Sequence, residues 1–323
     1  MLRREFIRRG SAALAGAAIA NQAMAEQTLR IVVGFAAGGP GDILARFLAE
    51  QLKKAMGDNV VVDNRPGAAG RIAINFVKAS DGDGTTLLNT PASLLTLLPH
   101  AVKAGDFNPL QDLSPVGGLS DLDFAMVVGG KLPVKTLADY LALCKNDPKF
   151  ASFGSAGAGT PQHMLGVQLG RVGGVALTHV AYRGGAPALQ DVIAGVTPAS
   201  IGTLSDLMLT SARDGRIRIL ATSGAKRSLF LPDVPTMVES GLKDVSAADC
   251  SGILVSTKTP APLVAKLSRH LFDIVSSAEF KAGLNRFYME PLALESRAYG
   301  DRLKAEYAAW GPVVKASGFS LDA

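Results

Sequence analysis

Three glycine-rich stretches carry the residues whose types and spacing point to chemistry. They are Gly38-Gly39-Pro40-Gly41-Asp42, Gly154-Ser155-Ala156-Gly157-Ala158-Gly159-Thr160 and Tyr182-Arg183-Gly184-Gly185. Each follows an apolar run that reads as a strand and opens a helical pattern, so each presents unpaired helix N–H groups with no side chain in front of them. Such helix N-termini attract anions. Glycine is also the ordinary punctuation between strand and helix; it is the recurrence in three loops that favours a shared site for a small dianion. Charge-assisted hydrogen bonds contribute about 1.5–3 kcal/mol each, and micromolar binding requires roughly 8 kcal/mol. Four or five such bonds suffice without a buried Arg.

Other chemistries lack their residues. The first loop has no Gly-x-x-x-x-Gly-Lys phosphate motif, and Gly39-Pro40-Gly41 has no third glycine of a dinucleotide fingerprint. His100, His163, His179 and His270 are the only histidines, and none stands at metal-ligand spacing from another His or Cys. There is no Gly-x-Ser-x-Gly elbow. Asp81-Gly82-Asp83-Gly84 lacks the later carboxylate of a calcium loop and reads as a turn. No metal, cofactor or catalytic set is expected. Asp42 reads as a helix N-cap, as a contact to a ligand amino or hydroxyl group, or as both. His163, in the first turn after the second loop, reads either as a cleft residue or as a packed ring.

The elements that position these loops form a repeating pattern. Leu29 to Phe35 is a buried strand, and from Asp42 onward Ile43, Leu44, Phe47, Leu48 and Leu52 share one helix face. Strand Val60–Val62, a helix from about Gly70 to Ala79 and strand Thr85–Leu88 complete the first series. After a stretch from Phe107 to Gly118 punctuated by Pro and Gly, a second series begins at Ala125 and runs through the other two glycine loops. This is the βαβ pattern of an α/β fold in two lobes, each a mostly parallel sheet flanked by helices, with a cleft between. Residues 26–124 and 253–323 are expected to form the first lobe, and 125–252 the second. Tyr299, Leu303, Tyr307, Trp310 and Val314 recur at helical spacing and read as a packed stripe on a helix that returns to the first lobe.

Charge and cysteine bound the partners. Arg3, Arg4, Arg8 and Arg9 precede an uncharged run ending in Ala23-Met24-Ala25, the pattern of a secretory signal cleaved near Ala25, with twin-arginine form. The run is too short and too interrupted to span a bilayer, and no Cys precedes residue 144 to accept lipid. The expected location is the periplasm. Removing residues 1–25, with four Arg and one Glu, takes three charges from the net +5 and leaves +2, so no nucleic-acid partner is indicated. Cys144 and Cys250 permit one disulfide but show no framework spacing.

Over essentially the whole mature chain the sequence resembles the periplasmic solute receptors of tripartite tricarboxylate transporters, also called the Bug family. The matching residues are Ile31-Val32-Val33-Gly34-Phe35-Ala36-Ala37-Gly38-Gly39-Pro40-Gly41-Asp42 and Val62-Asp63-Asn64-Arg65-Pro66-Gly67-Ala68-Ala69-Gly70. Further on come Tyr182-Arg183-Gly184-Gly185-Ala186-Pro187-Ala188-Leu189, Ala225-Lys226-Arg227-Ser228 and Leu231-Pro232-Asp233-Val234-Pro235-Thr236. The resemblance implies a type II periplasmic binding protein, monomeric, that closes on a small carboxylate (a tricarboxylate, a dicarboxylate or an acidic amino acid). It delivers that ligand to a membrane permease without a chemical step. The implied contacts are Phe35, Ala36, Gly38, Gly39 and Asp42 in the first loop, and Thr90 and Ser93 after the third strand. From the other lobe they are Gly157, Thr160, His163, Tyr182, Gly184 and Gly185, with backbone amides dominating.

This chain departs from the family pattern at Thr85, where relatives usually carry Tyr, and at Ala248-Asp249-Cys250-Ser251-Gly252, where they have an aromatic before the glycine. Val196-Thr197-Pro198-Ala199 lacks the acidic residue common after the preceding helix. Citrate is therefore not to be assumed as ligand. Two other readings share the site: a receptor that signals to a two-component sensor, and a periplasmic enzyme, for which no nucleophile and base can be assembled from Asp42, His163 and Cys250.

Overall fold

The computed structural model describes residues 28–57, 59–103, 107–243 and 245–321. The export signal expected at residues 1–25 lies outside the described residues. Strand β1 (Leu29–Val33) sends Ile31 and Val33 into one core and Val32 into another on the opposite face. From Ile31 on, past the exposed Arg30, the strand is buried on both sides and has no polar face, which is why this part of the run is apolar without alternation. Helix α1 (Pro40–Met56) packs Leu44, Leu48 and Leu52 beside Ile31 and Val33, and ends where Gly57 adopts a left-handed φ of 73°. With β2 (Val60–Asn64), α2 (Arg71–Ala79) and β3 (Thr86–Pro91) it builds a unit of three parallel strands, β1 in the middle.

Strand β4 (Leu113–Leu122) leads across Asp123 directly into β5 (Phe124–Gly129), the first strand of a second sheet. That lobe continues through α3 (Leu137–Asn146), β6 (Ser152–Ser155), α4 (Pro161–Gly173), β7 (Thr178–Ala181), α5 (Gly185–Ala194), β8 (Ala199–Thr203), α6 (Asp206–Arg213) and β9 (Ile217–Thr222). The chain returns as β10 (Asp249–Ser256) and finishes with α7 (Ala261–Ser276), α8 (Ala278–Asn285), β11 (Glu290–Pro291) and α9 (Ser296–Ser317). Strand order is β11-β4-β10-β3-β1-β2 in the first sheet and β7-β6-β8-β5-β9 in the second. The same two-sided burial recurs in β5, where Phe124, Met126 and Val128 face one core and Ala125 and Val127 the other.

The sheets are mixed rather than mostly parallel. Strands joined through helices run parallel, whereas β4, β5 and β10, which carry the chain between lobes, pair antiparallel with their neighbours. A strand that enters a sheet from the other lobe has no crossover helix to bring it round in the parallel sense. Strand β10 begins at Asp249, so residues 249–252, expected in the second lobe, belong to the first sheet. Of the stretch Phe107 to Gly118 read as punctuation, residues 113–118 are the first half of β4; its glycines admit the carbonyls of Leu292 and Leu294 against the strand.

Helix α9 does not return to the first lobe alone. Tyr299 and Leu303 are buried in the first lobe with Val32 and Leu88, while Trp310 packs against the second-lobe core, and Val314 joins Met164 of α4 to Leu97 and Ala101. The Tyr299 ring sits where a β-carbon on Gly252 would overlap it, and its hydroxyl is buried with no hydrogen-bond partner among the described residues. Tyr299→Phe is therefore expected to raise stability by about 1 kcal/mol, since an unsatisfied buried hydroxyl costs that much or more. The check is a thermal melt, where a gain on the order of 2 °C is expected; a loss would show that the hydroxyl is satisfied in solution.

Candidate functional site

The glycine loops lie where parallel strands end and helices begin. The first follows β1, with Phe35 40% exposed and Gly38 at a φ of 84°. Gly39 is the N-cap of α1 and Pro40 its first residue. Asp42 is thus not the cap but the third residue of the helix, and its carboxylate reaches back as the acidic residue of a capping box does. Its Oδ2 accepts the Gly38 N–H at 2.9 Å and the Arg46 Nε–H at 2.9 Å. Arg46 also donates to Asn64 Oδ1 at 3.4 Å, and Asn64 Nδ2 donates to the Phe35 carbonyl at 3.1 Å, so the loop is braced on β2. Burial pushes the Asp42 carboxyl up, but the hydrogen bonds from Arg46, Gly38 and Asn64 outweigh it and hold the group below its usual range. The partner Arg46 was legible as an i, i+4 pair; Asn64 comes from another strand.

Thr90, expected after the third strand, lies within β3, and Ser93 just follows it; both are buried. The Thr90 hydroxyl donates to the Pro91 carbonyl at 3.3 Å. Ser93 is held twice by Asp249, its N–H on Oδ1 at 3.1 Å and its hydroxyl on Oδ2 at 2.6 Å. Next to this turn Asn89 Nδ2 donates to the Gly41 carbonyl at 2.8 Å, which joins β3 to the first turn of α1. Asp249 was recognised in the sequence as a departure from family pattern, but nothing local tied it to Ser93.

In the second lobe two loops form one group. Tyr182 N–H donates to the Ser155 carbonyl at 3.0 Å and Gly184 N–H to the Ala156 carbonyl at 3.1 Å. Thr160 caps α4, accepting the His163 N–H at 3.3 Å and donating to the Gly157 carbonyl at 2.8 Å. His163 is a packed ring: Nδ1 accepts the Gly159 N–H at 3.1 Å, the imidazole stacks on His179 at 3.9 Å, and Phe319 meets it edge-on at 5.0 Å. Burial, with the neighbouring His179 adding to it, pushes its pKa down to about 4. The Tyr182 hydroxyl donates to Asp191 Oδ2 at 2.7 Å and lies 2.7 Å from Thr197 Oγ1, so the phenol is tied to α5 and its far turn. Gly184, at a φ of 118°, is the N-cap of α5, and Gly185 and Ala186 open its exposed first turn beside the exposed Arg183.

The arrangement brings together Gly157, Thr160, His163, Tyr182, Gly184 and Gly185 in one lobe, and Phe35, Ala36, Gly38, Gly39 and Asp42 in the other, with Ser93 set on Asp249 and Thr90 paired with Gly252. The polar side chains in these groups are largely spent on shaping the loops, except that Asp42 Oδ1 is buried without a partner among the described residues. What the first turn of α5 turns outward is backbone N–H, a donor set suited to an anion. Among the described residues no group of three His, Cys, Asp or Glu side chains is placed to hold a metal. Both cysteines are free and buried; burial raises both thiols, the opposite of what a nucleophile requires.

The model of the tripartite tricarboxylate transporter family receptor matches residues 44–319. The chain belongs to this family. Among curated relatives, protein BugT of Bordetella pertussis (strain Tohama I) is 30% identical over 301 residues, covering 91% of this chain and 90% of that one. Among solved structures, an R. palustris protein with adipate shares 27% identity at a TM-score of 0.84, covering 92% of this receptor and 99% of that chain. The periplasmic binding protein BugD shares 28% identity at a TM-score of 0.79, covering 91% and 99%. The receptor thus has the two-lobed fold of periplasmic binding proteins, and none of its described helices is long and apolar enough to cross a membrane.

Proposed function

We propose that this receptor captures a small dicarboxylate between its lobes in the periplasm, as a monomer, and releases it unchanged to the permease of a tripartite tricarboxylate transporter. The observation that carries this reading is the exposed first turn of α5 at Gly185 and Ala186, placed by the Ser155–Tyr182 and Ala156–Gly184 bonds beside Gly157. The first loop, Phe35 to Gly39, is the matching wall, its Phe35 ring available to cover the ligand's methylenes. Adipate in the R. palustris relative supports a linear diacid over a branched tricarboxylate.

The test is a thermal-shift panel on residues 26–323 with linear dicarboxylates such as malate and adipate, citrate, and acidic amino acids. A ligand at 100 times its Kd is expected to add about 2.7 kcal/mol of stability. Silence across all carboxylates overturns the proposal. Recovery of the bound diacid unaltered after prolonged incubation separates receptor from enzyme, and loss of it would favour the enzyme.

A further inference from the structure

The segment Pro91–Ser93 lies against the first residues of β10, with Ser251 paired to Pro91 and Gly252 to Thr90. Three further bonds tie the same two segments: Ala92 N–H to the Cys250 carbonyl at 2.7 Å, and the two Ser93 bonds to Asp249. Asp249 also accepts the Cys250 N–H at 2.9 Å, so its carboxylate is filled from both sides of the turn. Asp249 is the first residue of β10 and pairs with Leu122, the last residue before the outgoing crossing. The one side chain that grips Ser93 therefore stands where the chain comes back from the second lobe.

We propose that Asp249 is a positioning residue that locks the Ser93 turn to the returning chain crossing, so that rotation of the second lobe and the placement of the Thr90–Ser93 wall of the ligand site are coupled. The relevance to ligand rests on the proposed function; the lock itself does not. The lock is sensitive to protons. Asp249 is 6% exposed. Facing it are Ser93 and, from α9, Tyr299 and Glu306, with Cys250 on its own strand; Asp121 of β4 and Arg302 of α9 stand one step further, beside Cys250 and Glu306. Arg302 is the one cation in this set, and it is engaged by Asp121 at 2.6 Å and Glu306 at 2.8 Å. Burial, opposed by the Ser93 bonds and reinforced by Glu306, raises the Asp249 pKa to about 7. An opening that hydrates this carboxyl releases its proton, so the open form gains as pH rises until the group is ionised in both forms.

Hydrogen exchange by mass spectrometry on the full chain, corrected for intrinsic rates, tests this without any ligand. In wild type, the opening constant of peptides covering Thr90–Ser93 and Asp249–Ser251 is expected to rise by about ten-fold per pH unit between pH 5 and 7 and then level. Asp249→Asn keeps an acceptor for the two N–H groups and a donor for the Ser93 hydroxyl, and is expected to be flat over the same range. Asp249→Ala is expected to open the turn at every pH while strands β1 and β5 exchange as in wild type. An unchanged pH slope in Asp249→Asn, or a protected turn in Asp249→Ala, overturns the lock. With adipate as probe, and affinity referred to its dianion so that the diacid's own ionisation drops out, wild-type affinity is expected to weaken as pH rises through this range and that of Asp249→Asn to stay constant. If adipate and other carboxylates fail to bind, the functional reading falls and the exchange slopes alone decide the lock.

Discussion

Gly185→Asp is expected to weaken capture of a dicarboxylate more than a hundred-fold while leaving the receptor folded and as stable as before. A β-carbon built on Gly185 has nothing within 4 Å, and its φ lies outside the left-handed range, so the fold tolerates a side chain there. A carboxylate on the first residue of α5 even favours the helix, by about 0.3–1 kcal/mol. An anionic ligand held at the same N-terminus meets that carboxylate as a like charge, and at roughly 4 Å with an effective dielectric near 20 the repulsion is about 4 kcal/mol. The opposed signs make the test sharp: calorimetric titration with adipate should lose its signal while the apo melting temperature holds. Gly185→Ala controls for bulk. Retained affinity in Gly185→Asp would place the ligand elsewhere. Gly184 does not offer this experiment, because at a φ of 118° any side chain strains the backbone.

The second large effect concerns pH and stability. His163 has a folded pKa of about 4 against 6.5 for a free imidazole, chiefly through burial and secondarily through His179. Its contribution is fully present above pH 6.5 and is lost as pH falls toward 4, because only the unfolded chain accepts the proton readily. The shift corresponds to roughly 3 kcal/mol, reduced to about 2 kcal/mol for partial screening. Asp123 and Asp249 tilt the other way: burial raises them to about 6 and about 7, so their contribution is present at low pH and fades as pH rises. His163→Asn, which keeps an acceptor for the Gly159 amide, should be less stable than wild type at pH 7.5. Urea denaturation should show that gap narrowing by about 2 kcal/mol at pH 4.5. A gap of constant size at both pH values would mean that His163 is not held neutral.

These cases show which parts of the site were readable from the residues. The three glycine loops stand where the sequence places them, after β1, β6 and β7, because a buried apolar run and the helix behind it are both local patterns. The roles of individual side chains were not readable. Asp42 reads from the sequence as a cap, a ligand contact or both, and in the fold it is a brace in the first turn of the helix; His163 reads as a cleft residue or a packed ring, and it is packed. Tyr182, an expected ligand contact, has its hydroxyl tied to Asp191 and Thr197.

By itself, the sequence determined the alternation of buried strands and amphipathic helices, the small-residue loops between them, and the helical stripe from Tyr299 to Val314. All of these follow from burial periodicities set over a few residues. Tertiary structure alone decided that the sheets are mixed, that α9 joins both lobes through Trp310, and that Ser93 is gripped by Asp249 from 156 residues away. A polar side chain takes whichever partner the fold brings within about 3 Å. That choice depends on strand register and on where the chain crosses between lobes, neither of which leaves a mark on neighbouring residues.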